Sequence, residues 1–225
     1  MKIHFVTGAG ISQEAGIPTF RERSGIWEKY DPEKVATLKG WKEDPQFALD
    51  FYNHMQGFLN SYEPNSAHID IAKLAEKHEV KIYTQNVDLL HEKAGSKNII
   101  HLHGQIDQCR SSVNHLDIYP YPKELKIGDL CKQGSQLRPD VVFFDEQVYK
   151  LNDVYVDIQD ADIIVFVGTS FVVSTPGYLF DAVYGTKQIY IIDPNIEENQ
   201  DLDNVYFIKE KATTGILTLI NLLDL

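Results

Sequence analysis

Lys2 to Arg21, KIHFVTGAGISQEAGIPTFR, constrains the fold more than any other stretch of this 225-residue chain. Ile3, Phe5 and Val6 form a short apolar run, and Gly8-Ala9-Gly10 follows at once. Ile11-Ser12-Gln13-Glu14-Ala15 then opens a helix that Gly16 ends early. Strand, glycine turn and helix start, in that order, is how a backbone presents free N–H groups to a pyrophosphate. The glycines let the chain turn sharply and approach phosphates with no Cβ in the way. A merely structural turn has the same appearance. The dinucleotide fingerprint asks for a third Gly three residues after the second. Here that position is Gln13, so this is not the ordinary dehydrogenase pattern.

Further strands are predicted at Val80–Thr84, Ile99–Leu102, Val141–Phe144, Asp162–Val167, Gln188–Ile192 and Val205–Ile208, from short apolar runs bounded by turn residues. Between them, helices are predicted over Pro45–Leu59, Ser66–His78, Leu89–Ala94, Val148–Ala161 and Gly215–Leu223. In the first, Phe47, Phe51, Met55 and Phe58 recur at helical spacing. In the second, Ser66 is the expected N-cap and Ala67, Ile71, Leu74 and Ala75 the inward face. Phe20 to Ala36 is expected to be an irregular loop with short helical pieces. Gln105 to Leu137 is polar and aperiodic, with turns at Tyr119-Pro120 and Tyr121-Pro122, and is expected to belong to an inserted module.

Strands alternating with helices imply an α/β fold, a Rossmann-like doubly wound parallel sheet with a small inserted domain. The expected large part covers residues 1–21, 64–104 and 138–225, and the small part 22–63 and 105–137. Such sheets bind ligands at the C-terminal ends of their strands. That rule gathers Gly8-Ala9-Gly10, Gln85-Asn86-Asp88, His103, Gly168-Thr169-Ser170 and Asp193 on one rim. A shared structural explanation for five such clusters is hard to find.

A net charge of −12 argues against non-specific nucleic-acid binding. The longest strongly apolar run, Ile163 to Val167, is far too short to span a membrane. Two cysteines, Cys109 and Cys131, make no disulfide framework, so a cytoplasmic setting is expected, with no signal peptide. A monomer is the expected state.

The chain resembles the sirtuins, NAD-dependent protein-lysine deacylases, as a bacterial-type catalytic core. The resemblance is carried by Gly8-Ala9-Gly10-Ile11-Ser12 with Gly16-Ile17-Pro18-Thr19-Phe20-Arg21, by Thr84-Gln85-Asn86-Val87-Asp88 with Leu90-His91, by His103-Gly104, by Leu137-Arg138-Pro139-Asp140-Val141-Val142, and by Gly168-Thr169-Ser170. These occur in family order along nearly the whole chain. The resemblance implies NAD as co-substrate and an acylated lysine of a protein as acceptor of the chemistry. The amide oxygen attacks C1′ of the nicotinamide ribose, nicotinamide leaves, and the acyl group departs as O-acyl-ADP-ribose. A base near neutrality suits His. Spacing alone does not choose between His101 and His103; the family pattern of His followed by Gly selects His103.

The resemblance further assigns Gly8, Ala9, Gly10, Ile11, Phe20, Arg21, Gln85, Asn86, Asp88, Gly168, Thr169, Ser170, Asp193 and Ala212 to NAD. Within that set Asn86 orients the ribose and a water as a second catalytic residue. Asp88 holds the carboxamide or, on local grounds, caps the following helix. Asp193 stands where the family usually has Asn; a carboxylate disfavours a 2′-phosphate, hence NAD over NADP. Tyr52, Met55, Phe144 and Asp145 are the expected substrate contacts. Family members that prefer succinyl or malonyl lysine carry Tyr and, three residues on, Arg; here Tyr52 is followed by Met55, so acetyl is expected. Asp145 replaces the family's Gly, where it crowds a peptide or recruits basic flanking residues.

The family's structural zinc uses two Cys-x2-Cys pairs. Here Cys109 is followed by Ser112 and Cys131 by Gly134, with His115 the one extra candidate, so no metal site is expected. The small module is then held by packing through Tyr119, Tyr121 and Leu125. NAD glycohydrolysis or mono-ADP-ribosyl transfer on the same fold is the alternative activity. A non-enzymatic NAD sensor and a dehydrogenase fit the residues less well.

Overall fold

The computed structural model describes residues 1–18, 30–169, 171, 174–197 and 201–225. Its strands are β1 (Lys2–Thr7), β2 (Glu79–Thr84), β3 (Ile99–His101), β4 (Gly104–Ser111), β5 (Ile118–Pro120), β6 (Leu137–Val141), β7 (Ile163–Val167), β8 (Gln188–Ile192) and β9 (Val205–Ile208). The helices are α1 (Ala9–Gln13), α2 (Pro32–Val35), α3 (Leu38–Glu43), α4 (Pro45–Asn60), α5 (Ser66–Leu74), α6 (Leu90–Lys93), α7 (Leu151–Asp157), α8 (Ser174–Val183) and α9 (Ala212–Leu223).

Side-chain alternation assigns each strand residue to a layer. Ile3 and Phe5 of β1 join one core with Ile71 and Leu74 of α5 and Ile216 and Leu219 of α9. Val6 joins the opposite core with Phe166, Val154 of α7 and Leu179 and Val183 of α8. Because both faces are covered, β7 reads Ile-Ile-Val-Phe-Val with every residue buried. Each large apolar side chain fully buried this way stabilises by roughly 1.5–3 kcal/mol. The sheet order is β3-β2-β1-β7-β8-β9, parallel throughout. Order therefore reverses between β1 and β7, and the crevice for a ligand opens beyond their C-terminal ends. Among the described residues no helix is long and apolar enough to cross a membrane.

A second sheet, β5-β4-β6, is antiparallel. With α2, α3 and α4 it encloses a third core containing Leu49, Phe51, Tyr52, Met55, Ile106, Leu125 and Phe143. Tyr119 and Tyr121 pack against that core. Asn53 of α4 holds Leu125 by both main-chain groups and accepts from the Tyr121 hydroxyl.

Several expectations are corrected. The predicted strand Val141–Phe144 is instead Leu137–Val141, in the small sheet. It stops because the Glu146 carboxylate takes the Phe143 N–H and turns the chain. The stretch from Gln105 hides β4, whose register shift between Gly104 and Cys109 breaks the alternation. The Tyr119-Pro120 turn is strand β5. Asn65, not Ser66, caps α5, accepting from the Ala67 and His68 N–H groups. Ala75 is that helix's C-cap and is exposed. Helices α3 and α8 were not foreseen; Gly40 and the Thr-Pro-Gly run at 175–177 disguise them.

Candidate active site

The glycines make a close crossing between the ends of β1 and β7. The Gly8 N–H donates to the Val167 carbonyl and the Gly10 N–H to the Gly168 carbonyl, each at 3.0 Å. A Cβ on Gly168 would lie 2.4 Å from the Ile11 nitrogen and 2.6 Å from Gly10 Cα, and its φ is +60°. Two of the turn's amides are thus spent inside the protein rather than presented to a ligand. What the glycines contribute is a path for α1 hard against β7.

A cavity of about 600 Å³ follows this crossing along the strand ends. Gly8, Ala9, Gly10, Gly168 and Thr169 line it. Gln85, Asn86, His103, Asp193, Ala212, Tyr52, Met55 and Phe144 also line it. Ile11 and Asp88 are not in the wall: Ile11 is core, and Asp88 lies behind Asn86. Phe20, Arg21 and Ser170 lie outside the described residues.

The polar groups behind the wall form one network. The Ser12 hydroxyl donates to Asp88 Oδ2 at 3.0 Å and accepts from Asn86 Nδ2 at 3.1 Å. Asn86 Nδ2 also reaches the Gly8 carbonyl, 3.2 Å away. Asp88 Oδ1 accepts the Leu90 N–H, as a residue opening α6 should. Burial pushes the Asp88 carboxyl up, and the bonds from Leu90 and Ser12 oppose this.

His103 is the histidine that faces the cavity. Its Nδ1 is 3.0 Å from the Gln85 carbonyl, which only accepts, so Nδ1 carries the hydrogen and Nε2 keeps its lone pair. Burial lowers its pKa below the usual 6.5, with the Gln85 bond opposing. His101 points into the protein, to the Asn86 carbonyl at 2.9 Å and Glu92 at 2.8 Å.

At the apolar end, Tyr52 stacks on Phe143 with centroids 6.2 Å apart. Beneath Phe143, at 3.7 Å from its ring, lies the guanidinium of Arg138, 2% exposed. Both oxygens of Glu146 accept from Arg138 at 2.9 Å, and both also accept from Arg110. Asp145 is turned out of the wall, where its carboxylate accepts the Leu38 N–H at 2.7 Å and caps α3 beside Thr37.

Several wall residues were not anticipated as such, Glu14 and Glu146 among them. Glu14 accepts from the N–H and hydroxyl of Thr213, which ties α1 to the start of α9. That pairing spans 199 positions and leaves no local signal. Glu146 had a weak one, since it follows the aromatic pair at Phe143-Phe144 and Arg138 lies eight positions before it.

The small module does not fit a structural zinc. The Cys109 thiol donates to the Pro120 carbonyl and burial pushes its pKa up to about 11. His115 stacks flat on Tyr149. Among the described residues no three His, Cys, Asp or Glu converge on one point. The loop is instead bridged by the Gln136 amide, which bonds Lys126, Gly128 and Leu137 main-chain groups.

Comparison with known proteins agrees with this geometry. Residues 8–175 match the Sir2 family. An NAD-dependent protein deacylase of Helicobacter pylori (strain ATCC 700392 / 26695) is 41% identical over 215 residues, 96% of this chain and 94% of the relative. A Sir2 homologue mutant in complex with ADP ribose superposes with a TM-score of 0.81 at 32% identity, covering 100% of this chain and 94% of that one. A Sir2 homologue in complex with NAD gives 0.80 at 32% identity, covering 99% and 89%. Glycine crossing, cavity-facing histidine and sequence match agree over most of the length, and the chain belongs to the Sir2 family.

Proposed function

We propose that this chain is an NAD-dependent protein-lysine deacylase with His103 as general base and acetyl as its best acyl group. The observation that carries this is the His103 ring, fixed by the Gln85 carbonyl with its free Nε2 facing the same cavity as the glycine crossing and the Tyr52–Met55 end. A depressed pKa keeps that nitrogen unprotonated at neutral pH, as a base must be. The donor set suits NAD: Thr169, Gln85 and Asn86 offer hydroxyl and amide groups, and Asp193 offers a carboxylate for ribose hydroxyls. Bound NAD supplies the electrophilic C1′ of its nicotinamide ribose. Asn86, held by Gly8 and Ser12, presents a fixed amide beside that position. Tyr52, Met55 and Phe143 surround the acyl chain and exclude water.

The alternative, glycohydrolysis or ADP-ribosyl transfer, drew on Asp145 crowding a peptide. Asp145 is engaged with Leu38, so that support is lost. The test is incubation with NAD, with and without an acetyl-lysine peptide. Release of nicotinamide only with peptide is expected; equal release without it would mean hydrolase.

A further inference from the structure

We propose that the buried Arg138–Glu146 pair is a positioning device: it fixes the cavity wall at Phe143 and, through Val141 and Val142, the spacing between that wall and His103. The proposal rests on the acyl pocket and the base given above. Arg110 of β4 and Arg138 of β6 stand directly opposite each other in the antiparallel small sheet. Like charges paired in this way destabilise a sheet. Their side chains are 4% and 2% exposed, so water screens them little. Glu146 reaches back to them, and each of its oxygens accepts from both guanidiniums.

Stability alone does not call for this arrangement. A buried ion pair contributes little beyond apolar residues of similar volume, because desolvation offsets the attraction. Among the described residues, the buried Nε atoms of Arg110 and Arg138 also have no hydrogen-bond partner. What the pair holds is the wall. Glu146 Oε2 accepts the Phe143 N–H at 2.9 Å, and the Arg138 guanidinium lies 3.7 Å from the centroid of the Phe143 ring. Phe143 is thus pinned through its backbone by one partner and through its ring by the other. Tyr52 stacks on the same ring.

The same pair reaches the base. Arg138 Nη2 donates to the Val141 carbonyl at 2.8 Å. Val141 lies opposite Gly104, the residue after His103, and the Val142 N–H donates to the His103 carbonyl at 2.9 Å. The approach leaves no slack. At Gly104 φ is +85°, and a Cβ there would run into the Asp140 carbonyl oxygen. The end of β6 and the backbone of His103 therefore move together, while the Gln85 carbonyl holds the His103 ring. The reaction proposed above needs the acyl chain against Phe143 and the base at His103 in one geometry. A displacement of about 1 Å in such a site costs about 10²-fold in rate.

The test replaces the pair by apolar residues of similar volume, Arg138→Met together with Glu146→Leu, which leaves Arg110 with Asp140, 3.7 Å away. The urea midpoint should stay at or above that of the wild type, and ADP-ribose affinity by calorimetry within about threefold. By contrast, kcat/KM for an acetyl-lysine peptide should fall at least about tenfold. Amide hydrogen exchange at Val142 should quicken at least about tenfold, while Val165 in β7 stays protected. Glu146→Asp keeps the charge but shortens the reach to Phe143, and should change the butyryl-to-acetyl ratio of kcat/KM at least about fivefold. That ratio does not depend on how much of the protein is folded, so it decides the matter if the double variant folds poorly. A folded double variant that keeps its kcat/KM or its slow Val142 exchange overturns the proposal, as does a Glu146→Asp ratio equal to that of the wild type. Exchange needs no turnover, so a wild type that fails to deacylate counts against the functional reading, and Val142 protection still judges the positioning.

Discussion

Replacing Gly168 by Ala tests the crossing on which the site is built. Two costs add. At φ +60° a Cβ costs about 1–2 kcal/mol. The same Cβ would meet the Ile11 nitrogen at 2.4 Å, Gly10 C at 2.5 Å and Gly10 Cα at 2.6 Å. These are backbone atoms, so no side chain can swing aside and α1 must move. Overpacking of that kind costs about 1–3 kcal/mol. The expected loss is about 2–5 kcal/mol in a urea titration, with an unchanged m-value. Because α1 carries Gly10 and ties Ser12 to Asn86 and Asp88, binding should suffer too. ADP-ribose affinity measured by calorimetry should fall at least about tenfold, equivalent to about 1.4 kcal/mol. Gly57→Ala is the control: it lies within α4 with open space around the added Cβ, and should stabilise by about 0.5–1 kcal/mol. A Gly168→Ala protein within about 1 kcal/mol of wild type, with unchanged ADP-ribose affinity, would refute the close-crossing argument.

His103→Ala should leave NAD binding nearly intact and reduce deacylation at least about 10²-fold; unchanged turnover would sink its role as base. On one peptide carrying either group, the wild type should show far higher kcat/KM for acetyl-lysine than for succinyl-lysine, and Met55→Arg should gain desuccinylation; a wild-type preference for succinyl would overturn the assignment. Burial lowers the pKa of His4 to about 4 from 6.5, so the unfolded chain takes up this proton first; stability is complete above about pH 6.5 and falls by about 3 kcal/mol as pH drops to 4. Urea midpoints across that range should show the decline, and a flat profile would mean His4 is protonated in the fold. Metal analysis should find no stoichiometric zinc; about one per chain, lost on Cys109→Ser, would contradict the fit described above.

The large sheet was legible because its strands are short apolar runs with a glycine or polar residue at each C-terminal end. Gln188–Ile192 and Val205–Ile208 fall where expected. The small sheet was not, for a physical reason. Its central strand β4 carries a register shift, so Asp107 and Gln108 sit among buried Ile106 and Cys109 without a clean period of two. The rim was legible as a set, since strand ends converge at the order reversal. Which member faces the cavity was not. His101 and His103 have the same parity and differ only because β3 ends between them, leaving one ring to Glu92 and the other to the cavity.

The acyl end shows why sequence distance misleads about charge. Arg138 lies beneath Phe143, close enough to suggest a seat for a carboxylate. Both Glu146 oxygens already accept from it and from Arg110, and Arg110 also lies 3.7 Å from Asp140. Two guanidiniums against two carboxyl groups leave no net cation for a ligand. To bind succinyl, Arg138 would have to release Glu146, whose side chain is 7% exposed and would be left largely unsolvated. Breaking a buried pair in that way costs about 3–5 kcal/mol, more than one new carboxylate contact returns. Phe143 also stands between the guanidinium and Tyr52. The cluster acts instead on the wall: Arg138 donates to the Val141 carbonyl and Glu146 accepts from Phe143, so the segment at 141–146 is fixed from below. The charge stabilises the shape of the pocket, which Tyr52, Met55 and Phe143 line at this place.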